Sequence, residues 1–334
     1  MTLRHRILAD ARRSRLRALL ERDGPVRLIE AHNGLAGVIG NLASVKVNDK
    51  EVEFDGLWFS SFTSAAAKGL PDAELYVGTR RLETIDEILT VTNKPILVDG
   101  DTGGDCVNFE YFCSKLEMVG VSGVVIEDKV VPKRNSLGED SHHSLEDPHV
   151  FAQKIARGRS ALQSNDFLIF ARIESFISNA GLMDALHRAR VYLLAGADGI
   201  LIHSKQNHPG EVYEFLRGYE EICREVGFRR PVAAVPTSYN GVSCMQLYEH
   251  GVKLVIYANH LLRAAHLAMG AVCKLILESD GSMEASAFCS PIPAIFDLVG
   301  FQDIVGKDRE RMNEAANKAA GNGNLVKLQK TDGG

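Results

Sequence analysis

The apolar run Val121-Ser-Gly-Val-Val-Ile126 is typical of a buried strand, and it ends on two adjacent carboxylates, Glu127-Asp128. A basic, polar loop follows at once, Lys129-Val-Val-Pro-Lys-Arg-Asn-Ser-Leu137. Upstream, Pro95-Ile-Leu-Val98 ends in the same way, on Asp99-Gly-Asp101. Acids at the ends of successive parallel strands come together and can hold a hard divalent cation. The basic loop beside them suits an anionic substrate.

Short apolar runs alternate with amphipathic stretches along most of the chain, which is typical of repeated βα units. The predicted strands are Arg27–Ala31, Gly56–Phe59, Pro95–Val98, Gly123–Ile126, Phe167–Ala171, Gly199–Ile202, Pro231–Val235 and Leu254–Tyr257. The predicted helices are Leu82–Thr92, Phe109–Val119, Asp147–Ser160, Leu182–Ala195, Gly210–Val226, Cys244–His250 and Asn259–Leu277. Eight strand and helix pairs predict the α/β class and a single (β/α)8 barrel of the TIM type, whose functional residues gather at the carboxyl ends of the strands.

Segments outside the barrel complete the predicted organisation. Residues 1–24 are predicted to be an N-terminal helical extension, and residues 25–280 the barrel. Residues 281–320 are predicted to be a C-terminal helical segment that serves oligomer packing, with an apolar helix at Ala294–Val305. Residues 321–334 are predicted to be a disordered tail. An apolar helix beyond the last strand favours packing on a partner subunit, so we expect it to be exchanged between subunits of a homodimer or homotetramer.

Composition narrows the class of protein. The 334 residues are 45% hydrophobic and 24% charged, which is ordinary for a globular chain, and the net charge of −5 argues against general nucleic-acid binding. Six scattered cysteines without a CxxC pair are typical of reduced thiols. We find no signal-peptide pattern and no run of 18 apolar residues, so we expect a cytoplasmic protein with no membrane partner.

Polar groups follow nearly every predicted strand, which places one functional face at the top of the barrel. They include Asp99, Asp101 and Glu127, followed by Arg172 and then His203. Mg²⁺ prefers oxygen ligands and keeps several waters, so these three carboxylates fit it, one as a direct ligand and the others through water. The loop from Lys129 to Asp147, about twenty residues without predicted secondary structure, is typical of a lid.

The chain resembles the phosphoenolpyruvate mutase branch of the isocitrate lyase superfamily from about Ala31 to Leu277. The most specific string is Glu127-Asp-Lys-x₅-Asn135-Ser136. It is joined by the shorter motifs Phe54-Asp-Gly-Leu-Trp-Phe-Ser60, Asp99-Gly-Asp-Thr-Gly103, Ala171-Arg-Ile-Glu174, His203-Ser-Lys205 and Ala258-Asn-His260. The resemblance implies a barrel enzyme that interconverts phosphoenolpyruvate and phosphonopyruvate with Mg²⁺, for which Mn²⁺ can substitute. This is the step that forms the C–P bond in phosphonate biosynthesis.

The resemblance also implies roles for individual residues. The catalytic set is Arg172, His203 and Asn135 around the phosphoryl group, with Ser136 and the closing cation Lys133 from the lid. The substrate-binding set is Trp58 against the pyruvyl plane, the backbone N–H groups of Ser60 and Ser61, and Asp72 and Leu137. The metal set is Asp99, Asp101 and Glu127, with Asp72 and Asp128 as candidates for its outer shell.

Three departures from the family pattern stand out. The family often has Gly where Ser61 stands, Asp105 adds an acid near the predicted cation site, and residues 41–53 form a polar, hairpin-like insertion in place of the end of the first helix. The alternatives are a phosphonopyruvate hydrolase, in which Thr usually stands at position 135, and a C–C lyase, which needs Cys there. A barrel that binds metabolites without turnover is disfavoured because every expected catalytic position is filled.

Overall fold

A closed barrel of eight parallel strands forms the centre of the chain in the computed structural model, which describes residue 5 and residues 7–75, 79–138 and 143–328. The barrel strands, in their order around the barrel, are β1 (Val26–Glu30), β4 (Gly56–Phe59), β5 (Ile96–Asp99), β6 (Gly123–Glu127), β7 (Leu168–Ile173), β8 (Gly199–Ile202), β9 (Val232–Ala234) and β10 (Val252–Tyr257), which pairs with β1. The (β/α)8 prediction is confirmed, and each predicted strand end lies within two residues of the observed one. Continuous apolar runs give strands that are buried on both faces, as parallel barrels require.

Helices cover the barrel and extend beyond it. They are α1 (Ala9–Glu21), α2 (Gly34–Leu42), α3 (Ser61–Ala66), α4 (Thr79–Leu89), α5 (Cys106–Val119), α6 (Pro148–Ser160), α7 (Gly181–Leu194), α8 (Gly210–Val226), α9 (Cys244–Glu249), α10 (His260–Ser279), α11 (Ile292–Leu298) and α12 (Phe301–Leu328). The short helices α2 and α3 were not predicted separately, because each is too short to show an amphipathic repeat.

The core has two layers, one inside the barrel and one between the strands and the surrounding helices. The interior cluster includes Leu28, Trp58 and Phe170, and Leu16 of α1 packs against it. Arg12 of α1 donates to the carbonyl oxygens of Leu89 and Thr92, each at 2.7 Å. The predicted N-terminal extension therefore contains a helix that is fixed to the barrel by buried contacts.

The insertion at residues 41–53 contains a hairpin, as the sequence predicts. Its strands β2 (Ser44–Val47) and β3 (Lys50–Glu53) pair antiparallel. Asn48 and Asp49 have φ values of 50° and 62°, which is the left-handed conformation that a tight two-residue hairpin turn needs.

The chain divides into two compact units, one up to Leu267 and one from Ala268. In the second unit, the apolar helix predicted at 294–305 is two helices, because Gly300 with φ 75° ends α11 and separates it from α12. Helix α12 runs to Leu328, so it covers part of the segment for which the sequence predicts disorder. Residues 329–334 lie outside the described residues, and the extent of an unstructured tail stays a prediction.

Among the described residues, α10 is long and apolar enough to meet the length and composition of a membrane span. The bent pair formed by residues 284–298 and 301–318 meets the same criterion only if it is counted as one span. The helix contains Arg263 and Lys274, so it is not an uninterrupted run of 18 apolar residues.

Candidate active site

A cavity of about 550 Å³ opens at the carboxyl ends of the barrel strands. The predicted site residues line it, except Asp101 and the outer-shell candidate Asp128: Trp58, Ser60, Ser61, Asp72, Asp99, Glu127, Lys133, Asn135, Ser136, Leu137, Arg172 and His203. They come from different strands and from the lid loop, and the barrel topology brings them to one end. The structure thus brings together groups that are up to 145 residues apart in the chain, from Trp58 to His203.

The acids at the ends of β5 and β6 are held by backbone contacts between the two strands. The N–H of Glu127 donates to the carbonyl oxygen of Asp101 at 2.7 Å, and Asp101 adopts a left-handed φ of 54°. Gly100 allows this turn, because a Cβ there would lie 2.8 Å from Val124. The backbone hydrogen bond from Glu127 and the close approach of Val124 to Gly100 therefore fix the turn that presents Asp99 to the cavity.

Asp99 lines the cavity, and neighbouring donors hold both oxygens of its carboxylate. Its Oδ1 accepts the N–H of Asp101 at 3.1 Å, and its Oδ2 accepts the hydroxyl of Ser61 at 2.7 Å. The N–H of Ser61 also points to Asp99 Oδ2, at 3.3 Å. This contact differs from the expectation that the Ser61 N–H is kept for a substrate carboxylate, because the Asp99 carboxylate already lies in front of it. Ser60 uses its hydroxyl to cap α3 by accepting the N–H of Thr63.

Asp101 is occupied by two cations and does not line the cavity. Arg81 forms a buried ion pair with its Oδ2, and Lys133 Nζ lies 2.6 Å from its Oδ1. Burial would raise the pKa of Asp101, but the charges of Arg81 and Lys133 outweigh it and hold that pKa below its ordinary value. Sequence reasoning missed Arg81, which lies in α4 and offers no local signal of its partner twenty residues away.

Lys133, the predicted closing cation of the lid, lies among the carboxylates of Asp72, Asp101 and Glu127. Its ammonium lies 3.1 Å from Asp72 Oδ1 and 3.9 Å from Glu127 Oε1, and its side chain is 3% exposed. Burial would lower the pKa of Lys133, but Glu127, Asp101 and Asp72 raise it well above its ordinary value. Lys133 is therefore a charged group in the site.

The carboxylates fit an oxygen-ligated cation with a largely water-filled coordination shell. Glu127 Oε1 is buried and has no hydrogen-bond partner among the described residues, since the ammonium groups of Lys129 and Lys133 lie 3.8 and 3.9 Å away. In the same part of the chain, no three His, Cys, Asp or Glu side chains converge closely enough to bind one ion directly. This combination suits Mg²⁺, which takes one or two protein carboxylates and keeps several waters. Asp105 takes no part, since it is exposed and caps α5 by accepting the N–H of Asn108.

Glu174 organises the other side of the cavity and was not among the predicted site residues. Arg172 Nε donates to its Oε1 at 2.5 Å, and His203 Nδ1 lies 2.7 Å from the same oxygen. From the lid, Ser136 donates to Glu174 Oε2 at 2.6 Å and Lys129 Nζ lies 3.0 Å away. Its position two residues after Arg172, at the end of β7, was the available sequence signal.

The ionisation of this group follows from burial and charge pairing. Burial would raise the pKa of Glu174, but Arg172, His203 and Lys129 hold it well below its ordinary value. Burial lowers the pKa of His203 despite the nearby Glu174 carboxylate, so the imidazole is neutral. His203 Nδ1 lies near both Arg172 Nη2 and Glu174, and the shorter contact to the carboxylate favours a proton on Nδ1. Nε2 is then the acceptor nitrogen of the ring.

The lid lies closed over the cavity at its described residues. Its base is an antiparallel bridge between Lys129 and Leu145, and the N–H of Val130 donates to the carbonyl oxygen of Ser144 at 3.0 Å. Asn135 donates from Nδ2 to Asp72 Oδ2 at 2.7 Å and accepts the N–H of Leu137 at 2.9 Å. One amide N–H of Asn135 is thus committed to Asp72, and an amide has a second N–H to offer. Residues 139–142 of the lid lie outside the described residues.

Comparison with known proteins agrees with this geometry. The phosphoenolpyruvate phosphomutase family model matches residues 16–277. A phosphoenolpyruvate phosphomutase from Tetrahymena pyriformis is 36% identical over 85% of this chain and 89% of its own length. The crystal structure of a phosphoenolpyruvate phosphomutase from Streptomyces platensis subsp. rosaceus superposes with a TM-score of 0.82, at 32% identity, over 89% of this chain and 98% of that one. A phosphonopyruvate hydrolase solved with oxalate and Mg²⁺ gives a TM-score of 0.78 at 31% identity, over 89% of this chain and 97% of its own. The chain belongs to the phosphoenolpyruvate phosphomutase family.

Proposed function

We propose that this protein is a phosphoenolpyruvate mutase, an isomerase that moves a phosphoryl group between the enol oxygen and C3 of one pyruvate skeleton. The observation that carries the proposal is the closed lid that presents Asn135 beside Arg172 and His203 in a cavity edged by carboxylates. Relatives named phosphoenolpyruvate phosphomutase, 32 to 36% identical over most of the chain, support this activity. Formation of the C–P bond places the enzyme in phosphonate biosynthesis, and we propose that it works in the cytoplasm.

The chain's own residues would bind and orient the migrating group. Arg172 offers a planar fork of donors to the phosphoryl oxygens, and Asn135 offers its second amide N–H from the lid. Neutral His203 carries its one ring proton on Nδ1, so Nε2 has no proton to transfer to the phosphoryl group. Trp58, which is 2% exposed, gives the pyruvyl plane an apolar wall. Phosphoryl transfer depends mainly on such positioning and charge stabilisation.

We propose Mg²⁺ as the cofactor, with Mn²⁺ as a substitute of similar ligand preference. Asp99 is the proposed direct ligand, with Glu127 and Asp101 reached through water. When bound, the ion supplies positive charge to the enolate oxygen of the pyruvyl group. The hydrolase relative solved with oxalate and Mg²⁺ supports a divalent ion in this family.

Exclusion of water separates the mutase from its closest alternative, a phosphonopyruvate hydrolase. The hydrolase remains the second candidate because a relative of that name is 32% identical over 90% of this chain. A C–C lyase ranks third, since the lid position that needs Cys for proton transfer holds Asn135.

The test is to supply phosphonopyruvate and Mg²⁺ and to follow the phosphorus by ³¹P NMR. We expect phosphoenolpyruvate as the main product, because the lid keeps water from the phosphoryl group. A main product of inorganic phosphate would establish the hydrolase instead. Unchanged phosphonopyruvate, at enzyme concentrations where a known mutase is active, would exclude both activities.

We further propose a homodimer or a dimer of dimers that exchanges its C-terminal helices. All twenty residues of α10 are described and none is buried, although the helix is apolar. Within the first unit, an apolar cavity of about 520 Å³ lies beside β1 and β10 and is lined by Ile29, Val45, Val52 and Tyr257. An unburied apolar helix and an apolar cavity on the same fold support exchange between subunits.

Charge placed on one face of α10 is expected to prevent assembly. Met269 and Ile276 are seven residues apart and share that face, with exposures of 60% and 40%. We expect the unaltered protein to sediment as a dimer or tetramer at micromolar concentration, and Met269→Lys with Ile276→Lys to shift it to the monomer. The matched control replaces Met183 of α7 and Met245 of α9, which are also exposed, with Lys. A monomeric unaltered protein would contradict the proposal.

A further inference from the structure

A buried ionic cluster lies beside both ends of the lid and outside the cavity. We define it as the lid anchor, made of Asp128, Arg188 and Tyr192. Asp128 directly follows β6, while Arg188 and Tyr192 are one turn apart on α7. Asp128 and Tyr192 are fully buried, and Arg188 is 6% exposed. Among the described residues that line the cavity, none belongs to the anchor.

Arg188 contacts the chain where it enters the lid and where it leaves. Its Nη1 lies 3.1 Å from Oδ2 of Asp128, the residue directly before the lid, and donates to the carbonyl oxygen of Glu146, two residues before α6, at 2.9 Å. The N–H of Glu146 donates in turn to the carbonyl oxygen of Asp128 at 2.9 Å. Arg188 thus joins the two stems of the lid through one guanidinium group.

The same cluster also orients the catalytic face. Asp128 Oδ1 accepts the N–H of Glu174 at 2.9 Å, while Oδ2 accepts the hydroxyl of Tyr192 at 2.8 Å. Glu174 is the shared partner of Arg172, His203 and the lid residue Ser136. A displacement of Asp128 is therefore transmitted both to the lid stems and to the carboxylate that holds Arg172.

We propose that Arg188 and Tyr192 are positioning residues, which hold Asp128 so that the lid closes in register over Glu174. A buried ion pair is a weak source of stability compared with apolar packing, so a role in stability alone does not account for it. The expected changes in rate and product ratio rest on the proposed mutase activity. The expected loosening of the lid does not. Loss of the anchor should loosen the lid whether or not the protein is a mutase.

The structural test measures how fast trypsin cleaves the lid after Lys133 and Arg134, with the cleaved bond identified by mass spectrometry. Tyr192→Phe removes the hydrogen bond donated to Asp128 and the one accepted from Arg188, and it keeps the ring that packs on Phe151. Arg188→Lys keeps the charge, but its single nitrogen cannot replace both Nε, which holds Asp184, and Nη1, which bridges Asp128 and Glu146. We expect each to speed lid cleavage about tenfold or more, since the loss of one hydrogen bond to a charged group already has an effect of that size. Arg190→Met is the matched control, since Arg190 lies on the same helix and makes only an exposed ion pair with Glu225 among its described contacts.

The kinetic test uses the same variants with phosphonopyruvate. We expect kcat to fall about tenfold with KM little changed, and the ratio of phosphate to phosphoenolpyruvate to rise, because a loosened lid admits water. A residue that served stability alone would lower the unfolding temperature without moving this ratio. Lid cleavage within twofold of the Arg190→Met control in both variants would overturn the proposal. If the unaltered protein forms no phosphoenolpyruvate, the proposed function fails, and the cleavage rates still decide the anchor.

Discussion

Replacing Asp99 with alanine is expected to lower the rate of phosphonopyruvate isomerisation by about 10³-fold or more, since a bound cation supplies several kcal/mol of charge stabilisation. Asp99 lines the cavity, whereas Asp101 is occupied by Arg81 and Lys133. The loss should appear in kcat, and a chelator should abolish the activity of the unaltered enzyme. Added Mg²⁺ or Mn²⁺ should restore the chelated unaltered enzyme but not the variant.

The control for this experiment is Asp105→Asn. Asp105 is the next acid after Asp101 in the chain, but its side chain faces Asn108 at the start of α5. Asparagine is also a good helix cap, so we expect activity and unfolding temperature to stay close to those of the unaltered protein. Full activity of the unaltered enzyme in the presence of a chelator would contradict the assignment of Asp99 as a metal ligand.

The second large effect is expected at Asn135. Asn135→Ala should lower isomerisation by about 10²–10³-fold, the usual result of deleting one preorganised donor. The truncation also removes the contact to Asp72, which ties the lid to the opposite wall of the cavity. Asn135→Thr keeps a polar group that is too short to reach both Asp72 and a phosphoryl oxygen. We expect it to raise the share of inorganic phosphate among the products.

The measurement is the ratio of phosphoenolpyruvate to phosphate formed from phosphonopyruvate. Val130→Ala is a suitable control, because Val130 lies at the stem of the lid with an exposed side chain and takes part through its backbone. If Asn135→Ala isomerises phosphonopyruvate as fast as this control, the role assigned to the amide is wrong.

The fold was largely predictable from the sequence because a parallel barrel strand is buried on both faces. Runs such as Gly123–Ile126 and Gly199–Ile202 are therefore continuously apolar and end sharply at polar residues. The same rule located Asp99, Glu127, Arg172 and His203 at one end of the barrel. The apolar pattern was a poorer guide in the C-terminal segment. There it predicts one helix, and Gly300 divides that helix into two.

Neighbours in space that are distant in sequence could not be predicted in this way. Arg81 and Arg188 lie on helices, where a charged residue is usually solvated, and their acidic partners are 20 and 60 residues away. Asp105 shows the converse error, because closeness in the chain suggested a place at the cation site while the helix cap turned its side chain elsewhere. The direction of a side chain is set by the local backbone geometry, which closeness in the sequence does not predict.

The shared carboxylate of Glu174 has a consequence for how this enzyme family can diversify. Two barrel residues, Arg172 and His203, and two lid residues, Lys129 and Ser136, all contact it. Substitutions that share a buried partner are not additive, so changing one of the four alters the cost of changing the others. An evolutionary path toward a new reaction therefore favours paired replacements on lid and barrel, because a single step leaves the buried carboxylate without one of its cations or one of its hydrogen-bond donors.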